Sequence, residues 1–324
     1  MRPELAAIDV TRMRGLEIGP LATPRVRKHE GPVRYLDHAS TAELKRKYTA
    51  HEGMRDRLDK IVDVDYVIGE NMPISEVVAA DAPFDYVIAS HVIEHIPDPI
   101  GWMADLRHVL RPGGILSLVI PDKRYSFDIN RSLTEVSDLV DANLRQLRKP
   151  SFRMAFDHYS KALGGMVDTA AAWAGTADYS LAVPMNLDDP EAAALDACRR
   201  MQQTDEFVDI HCHVFTLDSL LSLFEKLAHL GLIDFEIAAF FPTEVDTLEF
   251  HVSLRLLDGD RTSMLQKQRD SLVRAGAAER VNVPANAGRR STNVFMTVSR
   301  REASLLTLKR RSLARVRATL KRDR

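Results

Sequence analysis

Several histidines in this chain occur at spacings that could support chemistry. His91 and His95 lie four residues apart after an apolar run, so both side chains could face one crevice if that turn is helical. A second group, Asp209, His211 and His213, alternates along the chain. An imidazole can take a proton from a hydroxyl near neutral pH, and it is also a common metal ligand. These residues are therefore candidates for proton transfer or for metal binding.

The histidine pattern by itself leaves three roles open. On a strand, Asp209, His211 and His213 would share one face, and together with His158 in DHYS they could hold a divalent ion. No HExxH motif or paired cysteines accompany them. A contact to substrate, a general base and an ordinary buried histidine are the other roles. We predict no metal site, and we predict that at least one residue of the following set is catalytic: His95, His158, His211 and His213.

A strand, a helix and a second strand must position the first histidine pair. FDYVIAS at 84–90 is apolar and rich in β-branched residues, which predicts a buried strand. Residues 102–111 place apolar side chains on one helical face, and the Pro-Gly-Gly stretch at 112–114 predicts the end of that helix. ILSLVIP at 115–121 predicts the next strand. The unit requires a crossover in a parallel sheet, where ligands bind at the carboxyl ends of the strands.

These same residues carry a family resemblance. FDYVIASHVIEHIPDP followed by LRHVLRPGGILSLVIPD resembles the second half of a class I S-adenosylmethionine-dependent methyltransferase, most closely the methyltransferase type 11 group found in bacterial polysaccharide gene clusters. The resemblance covers residues 13–125 well and 207–256 more loosely. It implies an α/β, Rossmann-like, doubly wound sheet of seven strands that ends in an antiparallel hairpin. It also implies S-adenosylmethionine as the cofactor and a sugar or glycan hydroxyl as the acceptor.

The resemblance implies a cofactor site that begins at the LEIG motif. Glu17 and Gly19 match the family's acidic residue and first glycine, where backbone N–H groups near a helix N-terminus approach the methionine portion. The family's later glycines are missing here, because Pro20, Leu21 and Ala22 occupy that stretch. This departure leaves an ordinary strand-to-loop turn as the alternative for LEIG.

The remaining cofactor contacts are implied at the ends of the next strands. Asp37 in YLDH could accept both ribose hydroxyls, although an exposed aspartate at a strand end is the plain alternative. The other residues that the resemblance implies are Glu70, Asn71 and Met72 at the adenine, and Ser90 and His91 after the fourth strand.

The chain divides by pattern into a catalytic domain and a basic extension. Residues 1–257 are the predicted methyltransferase domain, with helical periods at 123–206 that predict an insertion or lid. Residues 258–324 are polar and end in an amphipathic segment. The last 25 residues carry a net charge of +8, which leaves about −10 on the rest of a chain whose net charge is −2. The extension could dock on an anionic membrane surface or on a protein, or it could pack on its own domain.

The composition sets the outer bounds of function. Hydrophobic residues make up 45% of the chain and charged residues 28%, which is typical of a globular protein. Two cysteines in 324 residues form no disulfide scaffold, so we expect a cytoplasmic enzyme, peripheral at the inner face of the membrane if the extension docks there. The acidic body argues against nucleic acid as a partner. A small-molecule or lipid methyltransferase and a non-catalytic cofactor-binding scaffold remain alternatives, and the sequence gives no oligomeric state.

Overall fold

The centre of the molecule is a mixed sheet of seven strands. The structure is a computed structural model that describes residues 2–50, 52–69, 72–164, 167–177, 189–204 and 207–282. The strands are β1 (Gly15–Ile18), β2 (Val33–Asp37), β3 (Tyr66–Val67), β4 (Phe84–Ser90), β5 (Leu110–Pro121), β6 (Phe235–Phe241) and β7 (Glu249–Leu256). Their order is β3-β2-β1-β4-β5-β7-β6, with β1 to β5 parallel and β7 antiparallel to both of its neighbours. The predicted fold class is confirmed.

Helices follow the strands and fill the region after β5. They are α1 (Thr41–Tyr48), α2 (Ile74–Val77), α3 (Pro99–Val109), α4 (Val136–Leu144), α5 (Phe152–Lys161), α6 (Thr169–Ala174), α7 (Pro190–Thr204), α8 (Leu217–Leu230) and α9 (Arg261–Asn282). Ser40 and Glu43 form a capping box at the start of α1, and Gly231 ends α8 in a left-handed conformation. None of the helices in the described ranges combines the length and the apolar character that a membrane span needs.

The two faces of the sheet are covered by different kinds of structure. Alternate residues of a strand point to opposite faces. One face packs on the apolar sides of α3 and α8, with Leu106 and Leu227 buried among the strand residues. The other face packs on the N-terminal segment and on Val26 of the β1–β2 connection. Ser117 of β5 donates a hydrogen bond of 2.7 Å to the carbonyl of Glu4, which ties that segment to the sheet.

The connection between β1 and β2 departs from the expected pattern. The resemblance implied a helix whose N-terminus faces the methionine portion of the cofactor. Residues 19–32 are all described, and they contain turns and extended backbone without an α-helix. Interactions other than a helix N-terminus must therefore shape the cofactor site after β1.

Some predicted element boundaries were wrong for local reasons. The strand predicted at 115–121 begins earlier in the structure, at Leu110, so the Pro-Gly-Gly turn lies inside β5. Leu110 pairs with Phe84 and Ile115 pairs with Tyr86, so the turn between Leu110 and Ile115 is accommodated as a bulge. Gly113 has a φ of +76°, which a glycine adopts without strain.

The segment after β5 is helical, as the periodicity predicted. α5 and α7 share a small apolar cluster that includes Ala155 and Met201, and Ile210 and Cys212 complete it. Residues Met1–Ala277 form one compact unit, and of the second unit, Ala278–Arg324, only the end of α9 is described. Of the predicted extension at 258–324, residues 258–282 with α9 are described, and the basic amphipathic segment at the end lies outside the described residues.

Candidate active site

A cavity of about 1020 Å³ lies at the carboxyl ends of the parallel strands. Its residues come from the ends of β1 to β3, from the turn after β4 and the start of α3, and from the insertion. Those on the strand side include Ile18, Leu36, His38, Val67, Gly69 and Met72, and those opposite include Val92, Asp98, Trp102, Asp105, Asn143 and Phe207. The volume suits a cofactor-sized ligand, since such pockets commonly measure about 300–1,000 Å³.

Two aspartates fix the wall of this cavity through backbone contacts. Asp98 caps α3, where Oδ1 accepts a hydrogen bond of 2.9 Å from the Gly101 amide. The Asn143 side chain donates to the same carboxylate at 3.2 and 3.3 Å, which links the insertion to α3. Asp105 accepts a hydrogen bond of 2.6 Å from the Ile74 amide and so holds the loop after β3 in place. The wall is thus set by hydrogen bonds between three separate parts of the chain.

Glu17 shapes the loop after β1 from beneath. Its carboxylate is buried and accepts hydrogen bonds from the amides of Arg25, at 2.6 Å, and Val26, at 3.1 Å. Burial raises the pKa of Glu17 to about 7, although these two backbone hydrogen bonds oppose the shift. Gly19, with a φ of +64°, turns the chain between Glu17 and the amides that Glu17 binds. Glu17 therefore folds the loop back over the sheet.

Asp37 lies next to the cavity at the end of β2. The side chain is buried, and Oδ1 accepts a hydrogen bond of 2.8 Å from the His38 amide. The Nδ1 atom of His38 lies 2.7 Å from the same oxygen. Leu36 and His38, the two neighbours of Asp37, both line the cavity. Asp37 thus lies at the rim where a ribose contact was predicted.

The end of β4 belongs to an ionic network that includes Arg25. The guanidinium of Arg25 donates to Ser90 Oγ at 2.9 and 3.1 Å and to Glu249 at 3.0 and 3.2 Å. The Nε2 atom of His91 lies 2.7 Å from Oε2 of Glu249. Burial opposes ionisation of Glu249, but the His91 hydrogen bond and the Arg25 charge outweigh it and lower the pKa of Glu249 to about 2. Ser90 and His91 are thus held by residues of the β1–β2 connection and of β7.

The adenine contacts implied by the resemblance are only partly covered by the structure. Glu70 and Asn71 lie outside the described residues. Met72 is half-exposed and lines the cavity. Gly69, the residue directly before Glu70 and Asn71, lines the cavity as well.

Three of the four predicted catalytic histidines, His95, His158 and His211, lie close together beside the ionic network of Arg25 and Glu249. The ring centroids of His95 and His211 are 4.7 Å apart, and those of His158 and His211 are 6.2 Å apart. The carbonyl of Glu94 accepts hydrogen bonds from the amides of Cys212, at 2.6 Å, and His213, at 3.1 Å. These backbone bonds bring the segment after α7 against the turn after β4.

A buried ionic network surrounds His158 and His211. Nδ1 of His211 lies 2.6 Å from Oδ2 of Asp128, and Arg131 bridges Asp128, at 2.8 Å, and Asp157, at 2.9 Å. Burial and the charge of Arg131 lower the pKa of His158 to about 3. A histidine with that pKa is a weak base at neutral pH, so the prediction that His158 is catalytic is not supported by its surroundings.

His213, the fourth predicted catalytic histidine, has a buried side chain that does not favour contact with an acceptor. Its side chain is 2% exposed, and Nε2 lies 3.2 Å from the carbonyl of Pro97. Burial lowers its pKa to about 4. Residues 209–214 are not a strand, so the alternation of Asp209, His211 and His213 does not place them on one face. Asp209 contacts His95 and is half-exposed, whereas His213 points into the interior.

Comparison of the sequence with protein families agrees with this geometry. A family model described as a methyltransferase domain matches residues 3–159. The sheet order and the antiparallel closing hairpin agree with that match. The match and the topology together support a class I S-adenosylmethionine-dependent methyltransferase. No curated protein sequence matches this chain.

Solved structures of other methyltransferases are similar to this chain only at a distance. A SAM-dependent methyltransferase from Methanosarcina mazei is 19% identical, with 78% of this chain and 95% of the other covered and a TM-score of 0.38. An S-adenosylmethionine-dependent methyltransferase from Mesorhizobium loti is 15% identical over the same shares of each chain, with a TM-score of 0.35. These likenesses carry no information about the acceptor of this methyltransferase.

Sequence reasoning missed the residues that tie the site together over long distances. Arg25 and Glu249 are 224 residues apart, and Asp128 and His211 are 83 residues apart. No local spacing pattern marks such pairs.

Proposed function

We propose that this methyltransferase transfers a methyl group to a hydroxyl of a sugar or glycan. S-adenosylmethionine, when bound, supplies an electrophilic methyl group on its sulfonium. The observation that carries the proposal is the position of the polar cluster of Glu94, His95 and His211. Glu94 and His95 lie in the turn after β4, where Val92 and Ile96 on either side of them line the cavity, and the ring of His211 packs against that of His95. A hydroxyl bound there would lie next to the cofactor.

The cavity and its rim contain residues that would contact the ribose and the adenine of the cofactor. Asp37, at the end of β2, would accept hydrogen bonds from the ribose hydroxyls. Val67, Gly69 and Trp102 provide apolar walls that suit an adenine. These assignments follow from the family order of LEIG, YLDH and FDYVIASH together with the position of each residue at the cavity.

Arg25 and Glu249 would bind the amino-acid end of the cofactor. That end carries a carboxylate and an ammonium, and the pair offers one charge of each sign at the end of β4. In the family's pattern, a glycine-rich turn and a helix N-terminus face this end of the cofactor, and the β1–β2 connection here has neither. The positive charge of Arg25, fixed through its own amide by Glu17, would take over that role.

A polar acceptor fits the surroundings of the cluster better than an apolar one. The insertion places Asp128, Arg131 and Asp157 behind the histidines. Tyr125 and Trp173 stack with ring centroids 4.1 Å apart, and an aromatic pair of this kind can pack on a sugar ring. The sugar class itself rests on the resemblance to enzymes of polysaccharide clusters. Docking of the basic extension on a membrane would suit an acceptor that is assembled on a lipid carrier.

Mass spectrometry with S-adenosylmethionine and a panel of nucleotide sugars and oligosaccharides tests the proposal. We expect a methylated sugar and S-adenosylhomocysteine in equal amounts. Methylation of quinones or other small molecules alone would replace the sugar proposal with the small-molecule alternative. Cofactor binding without any methylated product would favour a non-catalytic scaffold.

A further inference from the structure

We propose that Glu94, His95 and His211 form a binding site for a divalent cation. Each of the three offers a ligand atom that lies within 4.8 Å of the ligand atoms of the other two. An ion at the centre of such a group would lie at coordination distance from all three after small side-chain movements. Two imidazoles and a carboxylate are a frequent ligand set of transition-metal sites.

The Glu94 carboxylate provides independent support for an ion. The residue is 1% exposed, and neither carboxylate oxygen has a hydrogen-bond partner among the described residues. The His91 ring lies close by, with Nδ1 at 3.5 Å from Oε1, which is beyond a good hydrogen bond. An ionised carboxylate that is buried without partners is costly, and a bound cation removes that cost.

His211 is already oriented as metal ligands usually are. A ligand histidine commonly directs its other ring nitrogen toward a carboxylate, which fixes the ring. Nδ1 of His211 lies 2.6 Å from Asp128, and Arg131 in turn holds Asp128 at 2.8 Å. Nε2 is therefore the nitrogen that the His211 ring would present to the ion. Nδ1 of His95 lies 2.9 Å from Asp209 but makes no hydrogen bond with any described residue, so this ring is free to turn toward an ion.

The ligand set also indicates which ions to expect. Imidazole nitrogens suit Zn²⁺ or Fe²⁺, and the carboxylate also suits Mn²⁺, whereas Ca²⁺ and Mg²⁺ are usually bound through oxygen ligands alone. Three protein ligands leave coordination positions open for an acceptor. The side chain of His95 is 31% exposed, so the cluster is reachable from outside. A hydroxyl bound at an open position would have a lowered pKa and would release its proton to solvent, a role that rests on the proposed function.

Cation binding can be measured on the full chain without cofactor or acceptor. After dialysis against a chelator, Zn²⁺ is titrated by calorimetry and Mn²⁺ by electron paramagnetic resonance. We expect one ion per chain, and we expect Glu94→Gln and His211→Ala to weaken binding by more than about 100-fold, since loss of even an outer-shell partner costs about 10–100-fold. His229→Ala, an exposed histidine of α8, is the matched control and should bind as the wild type does.

Two further readouts separate a lost ligand from a misfolded variant. Co²⁺ in the wild type should give visible absorption bands that change in His95→Gln. The melting temperature of the wild type should rise with Zn²⁺, whereas metal-free Glu94→Gln should melt no lower than the metal-free wild type, because it carries no unpartnered buried charge. Absence of a stoichiometric ion in the wild type, or unchanged affinity in folded Glu94→Gln and His211→Ala, would overturn the cation site. Because no acceptor is present, neither outcome depends on the proposed methyl transfer.

Discussion

The cofactor cavity and the Glu94 cluster are built by different kinds of interaction. The cavity is lined by strand ends and apolar side chains, and its aspartates accept hydrogen bonds from backbone amides, as Asp98 does at the start of α3. The cluster is held by ionic contacts between distant segments, such as Asp128 with His211. The difference indicates that the two regions have separate roles: the cavity binds the cofactor, and the Glu94 cluster acts on the acceptor. Substitutions should therefore affect one function at a time.

The largest expected effect is on turnover through the Glu94 cluster. His95→Gln should lower kcat by about 10²–10⁴-fold, the usual cost of losing a group that helps to remove a proton. Its affinity for S-adenosylmethionine should stay within about twofold, because His95 does not line the cavity. Single-turnover kinetics and calorimetry measure the two quantities. His229→Gln, on the surface of α8, should leave both unchanged.

A large effect on stability is expected from Glu17 beneath the cofactor loop. Its pKa is about 7 in the folded chain against 4.5 for an ordinary glutamate, so the folded state binds more protons between these values. Stability from this group is therefore present below pH 4.5 and is lost as the pH rises to 7, by about 3 kcal/mol.

Glu17→Gln removes this dependence, because the amide does not titrate. The difference in unfolding free energy between the wild type and Glu17→Gln, measured by urea denaturation, should shift against the wild type as the pH rises from 4.5 to 7. A constant difference across that range would show that Glu17 does not change its protonation on folding.

These two regions also differ in how far the sequence could predict them. Apolar periodicity and the LEIG and YLDH spacings indicated the sheet, the closing hairpin and the place of Asp37, since each depends on neighbouring residues. The Glu94 cluster depends on the folding of residues 209–214 across the turn after β4. That segment is irregular, so the strand alternation expected for its histidines was wrong, and His213 became buried.

The substitution Asp37→Ala should weaken cofactor binding without a comparable loss of kcat. We expect a loss of about 1.5–3 kcal/mol, the contribution of hydrogen bonds to a charged group. Calorimetry with S-adenosylmethionine measures it. Asp59→Ala, an exposed aspartate in the Glu52–Lys60 3₁₀ helix, serves as the control. Equal affinity in Asp37→Ala and the wild type would remove Asp37 from the site.

Arg25→Met should have a smaller effect of the same kind. Loss of its charge should weaken S-adenosylmethionine binding by about tenfold, since a hydrogen bond to a charged group contributes about 1.5 kcal/mol. Arg27→Met in the same loop is exposed and should bind normally. If Arg25→Met binds the cofactor as tightly as Arg27→Met, another group must hold the amino-acid end.

The smallest effect on catalysis is expected from the basic extension. Truncation after Ser299 removes a net charge of +8 and should leave turnover on a soluble acceptor within about twofold. Sedimentation with vesicles that contain anionic lipids should show lost binding, since each basic residue near such a surface contributes about 1 kcal/mol. Equal sedimentation of the full and truncated chains would exclude a membrane role for the extension.

The division between a cofactor-binding cavity and an acceptor-binding Glu94 cluster is tested most directly by kcat and cofactor affinity measured together in Asp37→Ala and His95→Gln. This division predicts that Asp37→Ala loses affinity for S-adenosylmethionine and keeps most of its kcat, while His95→Gln loses kcat and keeps its affinity. Parallel losses of both quantities in both folded variants would contradict it, because they would show that the cavity and the Glu94 cluster act as one undivided site.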